Sequence, residues 1–171
     1  LFADGRTAVE DPFGTRDHTE RMLGFLSGGE AVRIEDGAIV VEPHILESDT
    51  ALKIPGDISS AAYFTATALL VPGSQILLQG VLLNPTRMGF FDRLAEMGAR
   101  LTSSVRGEAG GEPVGDIQVH AGPLKGITVA ARDVPALVDE VPLLAVVASC
   151  DARAKSRIRS SVSARPRSNP S

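Results

Sequence analysis

The 171-residue chain contains one cysteine, Cys150, and no apolar run of the roughly 18 residues that a membrane-spanning helix needs. A single cysteine excludes an internal disulfide, and the apolar residues around Cys150 indicate a small core residue in a reducing compartment. Residues 1–4 carry none of the basic charge that opens a signal peptide. We therefore expect a cytoplasmic protein. Because position 1 is leucine, we also expect the sequence to begin within a longer protein.

The sequence also lacks the spacings that bind metals or nucleotides. His18, His44 and His120 are far apart, and no cluster of His, Cys and carboxylates has the spacing of metal ligands. Neither of the Gly-rich phosphate-loop patterns, G-x-G-x-x-G and G-x-x-x-x-G-K-[ST], occurs. We therefore expect no metal site, and we interpret the acidic, Gly-rich residues 107–112 as a mobile loop.

Basic charge is concentrated at one end of the chain. Residues 151–171 contain six basic residues and one acidic residue, a net charge of +5, whereas the whole chain has a net charge of −4. A basic tail rich in Ser and Pro is one form of a nucleic-acid-binding arm. This tail has no aromatic residue to stack on bases, and the other interpretation is a disordered end.

Turn and capping residues predict the elements of the first half. Residues 15–20 open an amphipathic helix, which should end at Gly28-Gly29. Asp36-Gly37 suits a two-residue type I′ turn between two strands. Residues 51–54 should form a short strand, after which Asp57 caps an apolar helix. Because this helix has no polar stripe, we expect protein to surround it.

The same order of elements returns in the second half. Asn84-Pro85-Thr86 caps another amphipathic helix that Gly98 ends, and after several short strands Asp139-Glu140 precedes a second apolar helix. The offset of roughly 70–80 residues suits a repeated small α/β unit. Asp57 and Asp139 are therefore expected to occupy equivalent positions in front of two buried helices.

Two stretches carry candidate chemistry. Thr15-Arg16 places a hydroxyl and a guanidinium at a helix N-terminus, where an anion is favoured. Asp139-Glu140 lies beside apolar residues, so one of the two carboxylates should be partly desolvated and suited to acid-base chemistry. On local grounds alone, a plain capping role is favoured for both stretches.

Several longer motifs occur in one order over about residues 1–150. They are Asp4-Gly5, Thr15-Arg16-Asp17-His18-Thr19-Glu20-Arg21-Met22-Leu23, Pro55-Gly56-Asp57-Ile58-Ser59-Ser60-Ala61-Ala62 with Val71-Pro72-Gly73-Ser74, Leu83-Asn84-Pro85-Thr86-Arg87, and Leu137-Val138-Asp139-Glu140-Val141-Pro142. Together they resemble the enolpyruvyl transferases, and within them the EPSP synthase family, the 3-phosphoshikimate 1-carboxyvinyltransferases. The Asn-Pro-Thr-Arg and Asp-Glu-x-Pro forms favour the bacterial glyphosate-tolerant type.

The resemblance implies two similar domains made of repeated small α/β units, an inside-out α/β barrel that is incomplete in this chain. It places residues 1–83 in one domain and residues 84–150 in the other. Substrates are expected in the cleft between the domains, toward which helix N-termini point.

The implied reaction transfers the enolpyruvyl group of phosphoenolpyruvate to the 5-hydroxyl of 3-phosphoshikimate and releases phosphate, without a cofactor. Asp139 matches the family's proton acceptor, which also holds the shikimate hydroxyls. Thr15 and Arg16 match residues on the side of the shikimate phosphate, with Thr15 where Ser is usual. Asp57 and the serines after it are assigned to a structural cap. The resemblance also implies glyphosate as an inhibitor, a monomeric full-length enzyme and no nucleic-acid partner.

The sequence departs from the family after the second apolar helix. The resemblance predicts Glu-Leu-Arg-x-Lys-Glu-Ser-Asp-Arg there, whereas residues 156–165 read Ser-Arg-Ile-Arg-Ser-Ser-Val-Ser-Ala-Arg. We interpret residues 151–171 as frame-shifted or truncated sequence, and we expect the fragment to be inactive alone. Two alternatives stay open: a UDP-N-acetylglucosamine enolpyruvyl transferase, and a non-catalytic α/β protein that binds through its basic tail.

Overall fold

The computed structural model describes residues 1–12, 14–46, 49–150 and 157–159. Its helices are α1 His18–Leu26, α2 Ile58–Leu70, α3 Gly89–Glu96 and α4 Val141–Cys150. Its strands are β1 Thr7–Glu10, β2 Val32–Glu35, β3 Ala38–Val41, β4 Gln75–Leu82, β5 Arg100–Ala109, β6 Glu112–His120, β7 Thr128–Ala130 and β8 Arg157–Arg159. Two 3-10 segments, Pro85–Arg87 and Ala131–Glu140, precede α3 and α4. The chain thus has the predicted α/β fold.

The first sheet is small and antiparallel, with the strand order β1-β3-β2. The turn between β2 and β3 is Asp36-Gly37, and both residues have positive φ angles, 51° and 83°. These angles are those of the predicted two-residue type I′ turn, so the hairpin is confirmed.

Helix α2 begins and ends as predicted but is less enclosed. The Asp57 carboxylate accepts a hydrogen bond of 2.7 Å from the amide of Ser60, which confirms the cap. Ala61, Ala62 and other small residues on one side of the helix are buried, while Tyr63 and Phe64 are exposed. The prediction of a completely surrounded helix is wrong for this chain, because α2 packs against α4 and β4 on one side only.

The second sheet is antiparallel, with the order β4-β6-β5. Its β5–β6 hairpin turns at Gly110-Gly111, whose positive φ angles of 58° and 79° permit a tight turn. The predicted mobile loop over residues 107–112 is therefore wrong, since most of it belongs to paired strands. The predicted strand at residues 51–54 is also wrong; an isolated bridge between Gly56 and Val81 follows this segment instead.

One apolar core connects α2, the second sheet, α3 and α4. It runs from Ile58 to Ala148 and contains the edge-to-face pair of Phe90 and Phe91, whose ring centroids are 5.5 Å apart. Strand β4, which precedes position 84, pairs along its length with β6, which follows it. The apolar core therefore continues across 83/84, where we expect the domain boundary. Residues 1–46 contain the first sheet, and α1 also contacts β6 of the second sheet.

Little of the basic tail lies within the described residues. Only its Arg157–Arg159 is described, as strand β8, which pairs in parallel with β7. The prediction of a disordered or frame-shifted tail otherwise falls outside the described residues. Cys150, at the end of α4, is exposed, so the prediction of a core cysteine is wrong. None of the described helices is both long and apolar enough to cross a membrane.

Candidate functional site

A cleft of about 640 Å³ lies between the loop before α1 and the 3-10 segment before α4. It is lined by Gly14, Thr15, Arg16, Thr86, Val134, Pro135, Val138 and Asp139. The structure therefore brings together all three residues that were singled out from the sequence: Thr15, Arg16 and Asp139. We call this space the Arg16–Asp139 cleft.

Arg16 and Asp139 face each other across the cleft. The guanidinium Nη2 of Arg16 donates a hydrogen bond of 2.5 Å to Oδ2 of Asp139. The two side chains are 39% and 49% exposed. An ion pair in such contact with solvent contributes only about 0–1 kcal/mol, so a ligand of higher charge can separate it.

Thr15 is held by a carboxylate on its own loop. Its Oγ1 donates a hydrogen bond of 2.9 Å to Oδ2 of Asp11, and its backbone amide donates one of 2.6 Å to the same oxygen. These bonds use the hydroxyl proton and leave the hydroxyl oxygen as an acceptor. Thr15 is thereby fixed in the wall of the cleft.

A second layer of charge lies behind Asp139. Arg87 Nη2 donates a 2.5 Å hydrogen bond to the hydroxyl of Ser59, which donates one of 2.6 Å to Oε1 of Glu140. The same nitrogen lies 3.4 Å from Oε1 of Glu140 and 3.6 Å from Oδ2 of Asp139. Exposure of the Arg87 and Glu140 side chains is only 10% and 5%. We call Arg87, Ser59 and Glu140 the Arg87 cluster.

The desolvated carboxylate of the Asp139-Glu140 pair is therefore Glu140. Helix α4 begins at Val141, so Glu140 directly precedes it, as Asp57 directly precedes α2. The residue in front of α4 that is equivalent to Asp57 is therefore Glu140, one position after the predicted Asp139. Because Asp139 stands one position earlier, its carboxylate reaches the cleft while that of Glu140 turns into the protein.

Sequence reasoning missed the Arg87 cluster for identifiable reasons. In the sequence Arg87 belongs to a helix-start motif and Ser59 to a helix cap, and neither pattern predicts a contact between them. The available signal was an arginine close to apolar positions that the structure shows to be buried, Phe90 and Phe91. A buried arginine needs a carboxylate partner, and the only hint of one was Glu140 beside two valines and a proline.

Asp57 also responds to the Arg87 cluster. Burial alone would raise the pKa of Asp57, but hydrogen bonds from Ser60 and from the backbone, together with the charge of Arg87, lower it below its ordinary value. Asp57 therefore stays ionised, as a helix N-cap favours.

A separate polar network joins α1 to the second sheet. The buried side chain of Asn84 donates hydrogen bonds of 2.7 Å to Oδ1 of Asp17 and 2.5 Å to Oε2 of Glu112. The His18 Nδ1 atom lies 2.8 Å from the same Glu112 oxygen. Burial would raise the pKa of Asp17, but the hydrogen bonds from Asn84 and Arg21 outweigh it and lower the pKa. This network holds the α1 loop, and with it Arg16, against the sheet.

No group of metal-ligating side chains occurs among the described residues. The Arg16–Asp139 cleft instead offers a guanidinium, a hydroxyl oxygen and a carboxylate. Those groups suit an anionic ligand that also carries hydroxyls.

The chain was compared with known proteins by sequence and by fold. The sequence model of the family "EPSP synthase (3-phosphoshikimate 1-carboxyvinyltransferase)" matches residues 1–166. The chain belongs to the EPSP synthase family. The family that the sequence motifs resembled is thereby confirmed.

Curated relatives in this family are closely similar. A 3-phosphoshikimate 1-carboxyvinyltransferase of Desulforudis audaxviator is 47% identical over 149 residues, which are 87% of this chain and 34% of that protein. One of Gloeobacter violaceus is 47% identical over 152 residues, 89% of this chain and 35% of that protein. These names favour the EPSP synthase family over the UDP-sugar enolpyruvyl transferases.

The fold agrees with this assignment. An EPSP synthase from Acinetobacter baumannii superposes with a TM-score of 0.79 at 41% identity, covering 88% of this chain and 34% of that structure. The chain spans about a third of the length of the relatives and structures that it matches.

Proposed function

We propose that this chain is part of an enzyme that transfers the enolpyruvyl group of phosphoenolpyruvate to the 5-hydroxyl of 3-phosphoshikimate, within the shikimate pathway to the aromatic amino acids. Membership of the EPSP synthase family supports this proposal. The observation that carries it is the Arg16–Asp139 contact of 2.5 Å between two residues 123 positions apart, which places a cation and a carboxylate in one cleft.

In this proposal Arg16 binds the phosphate of 3-phosphoshikimate, and the Thr15 hydroxyl turns its proton from Asp11 to a phosphate oxygen. A phosphate has more charge and more acceptor atoms than the Asp139 carboxylate, so Arg16 can exchange one partner for the other. The exposure of the Arg16–Asp139 pair makes that exchange inexpensive. Binding the first substrate would thereby release Asp139 for catalysis.

The released carboxylate of Asp139 then holds the shikimate hydroxyls and accepts the proton of the 5-hydroxyl. The 5-hydroxyl oxygen then forms a bond to C2 of phosphoenolpyruvate while the C=C π bond opens and C3 takes up a proton, which gives a tetrahedral intermediate. When the bond from C2 to the phosphate oxygen breaks, phosphate leaves, C3 loses a proton and the enolpyruvyl double bond forms again. This chemistry needs a positioned base and anion-binding groups, and no cofactor.

The domain arrangement is part of the proposal. The resemblance places the substrates between two domains of an inside-out α/β barrel, and the cleft lies between residues 14–16 and the larger unit. We place the change of domain between residues 46 and 56, rather than at 83/84, because the apolar core is continuous from Ile58 onward. We further propose a cytoplasmic, monomeric full-length enzyme that glyphosate inhibits.

The role of Asp139 can be tested in a complete enzyme. Residues 1–150 replace the matching segment of the Desulforudis audaxviator relative, and we call the product the grafted enzyme. Asp139→Asn keeps the shape of the side chain and removes its charge. We predict that kcat for phosphate release falls by at least about 10²-fold, the scale for losing a general base.

The matched control is Asp133→Asn, which removes a carboxylate from the same 3-10 segment. Asp133 pairs with Arg93 at 3.0 Å and does not line the cleft. The kcat of this variant should stay close to that of the grafted enzyme. The 171-residue chain alone serves as the inactive reference. If Asp139→Asn turns over nearly as fast as the grafted enzyme, the proposed function of Asp139 is refuted.

A further inference from the structure

The Arg87 cluster lies behind the Arg16–Asp139 cleft, and none of its three residues lines that cleft. Arg87 ends the 3-10 turn Pro85–Arg87, which is fixed by Asn84. The Asn84 Oδ1 atom accepts hydrogen bonds of 2.8 Å from the amide and 2.7 Å from the hydroxyl of Thr86. This rigid turn therefore positions the guanidinium of Arg87.

The hydrogen bonds of the cluster have one consistent direction. Arg87 donates to the Ser59 hydroxyl, and this hydroxyl donates its proton to Glu140. A guanidinium can only donate hydrogen bonds and an ionised carboxylate can only accept them. The Ser59 hydroxyl therefore accepts from the one and donates to the other. This chain of bonds joins the first turn of α2 to the residue that precedes α4.

The Arg87 cluster is important because it places charged groups next to Asp139. Among the described residues, Asp139 makes ion pairs with Arg16 at 2.5 Å and Arg87 at 3.6 Å, and it adjoins Glu140. Asp57, at the start of α2, also experiences the charge of Arg87. When substrate phosphate takes Arg16, Arg87 is the cation left beside Asp139 and Glu140.

We propose that Arg87 is a positioning residue that holds the Asp139 carboxylate at the cleft and offsets its repulsion from the adjacent Glu140. This inference rests on the proposed role of Asp139 as proton acceptor. Two carboxylates side by side repel each other, and a cation between them offsets this repulsion. Arg87 acts through the charge of Asp139 and its location, and not through contact with a substrate.

The test measures kcat of the grafted enzyme as a function of pH. Arg87→Gln removes the cation that lies 3.6 Å from the Asp139 carboxylate. The acidic limb of the profile should move to higher pH by about half a unit or more. Glu140→Gln removes the neighbouring anion while its amide oxygen can still accept from Ser59. The acidic limb of this variant should move to lower pH.

Shifts of opposite sign in Arg87→Gln and Glu140→Gln distinguish an electrostatic role from a structural one. A general loss of packing would not move the acidic limb to higher pH in one variant and to lower pH in the other. The matched control is Arg93→Gln, since Arg93 also pairs with two carboxylates, Asp133 at 3.0 Å and Glu96 at 2.8 Å, away from the cleft. Its acidic limb should not move. If Arg87→Gln does not fold, Arg87→Met, which fills the same buried space without the charge, takes its place and should also move the limb to higher pH.

The inference is overturned if Glu140→Gln leaves the limb unmoved or raises it, or if Arg93→Gln moves the limb as much as Arg87→Gln. The Asp139→Asn variant separates this result from failure of the proposed function. If Asp139→Asn abolishes turnover while the profiles of the Arg87 and Glu140 variants do not change, only the inference about Arg87 fails. If Asp139→Asn remains active, the proposed function fails and the inference fails with it.

Discussion

Gly89 allows a close approach between α3 and the segment that carries Asp139. It is the buried first residue of α3, and a Cβ atom added there would lie 2.6 Å from the carbonyl oxygen and 2.8 Å from the carbonyl carbon of Ala136. Both neighbours are backbone atoms, which cannot swing aside as the end of a side chain can. Gly89→Ala therefore requires α3 and the 3-10 segment to move apart.

The expected size of the effect follows from two opposing terms. Alanine in a helix is favoured over glycine by about 0.5–1 kcal/mol. Overpacking against a backbone that must shift costs about 1–3 kcal/mol. We predict that Gly89→Ala lowers the free energy of unfolding of the 171-residue chain by about 1–2 kcal/mol, measured by urea denaturation followed by circular dichroism.

Gly24 in α1 is the matched control, because an added Cβ there meets no described atom within 4 Å. Gly24→Ala should raise the free energy of unfolding by about 0.5–1 kcal/mol, since only the propensity term acts. The two Gly→Ala changes in helices should thus have opposite signs. Equal stabilisation by both would refute the close approach of α3 to Ala136.

Two further predictions concern the network that joins α1 to the second sheet. Asn84→Ala should lower the free energy of unfolding by at least about 2 kcal/mol in urea denaturation, because the buried Glu112 and the half-buried Asp17 lose their amide donor; a loss below about 1 kcal/mol would contradict this. Because the folded-state pKa of Asp17 is lowered from its ordinary 3.8, its stabilisation is present above that value and is lost as the pH falls through the folded pKa. Asp17→Asn should therefore lose less stability than the parent between pH 5 and pH 3 in urea denaturation, and an equal loss would refute the role of Asp17.

Local signals in the sequence predicted the elements that local chemistry determines. Asp36-Gly37 could be assigned to a type I′ turn because few other residues adopt two successive positive φ angles. Asp57 could be assigned as a cap because its side chain reaches an amide three residues away. In both cases the partners lie within a few positions, so no knowledge of the tertiary structure is needed.

The β5–β6 hairpin could not be predicted in this way. Residues 107–112 are acidic and rich in glycine, a composition typical of loops. The strand start at Glu112 instead depends on contacts with His18 and Asn84, which lie 94 and 28 positions away. Only tertiary packing brings those partners to a glutamate that would otherwise remain in water.

The candidate site shows the same division. The residue types of Thr15-Arg16 and Asp139 indicated anion binding and proton transfer, but local reasoning favoured helix caps, and the family resemblance was needed to select them. Neither argument predicted that Arg16 and Asp139 would be in contact. The sequence also did not predict which carboxylate of the Asp139-Glu140 pair is buried. The answer depends on whether α4 begins at Val141 or one residue earlier.

The packing of α3 connects the local sequence around Gly89 with the position of the candidate site. Ala136, which Gly89 approaches, is three residues before Asp139 on a 3-10 segment kinked at Leu137. The close approach places the segment that carries Asp139 against the start of α3, and Arg87, two residues before Gly89, lies 3.6 Å from the Asp139 carboxylate. The sequence from Asn84 to Gly89 therefore contributes to the cleft through Thr86, which lines it, and through Arg87 and Gly89, which pack behind it.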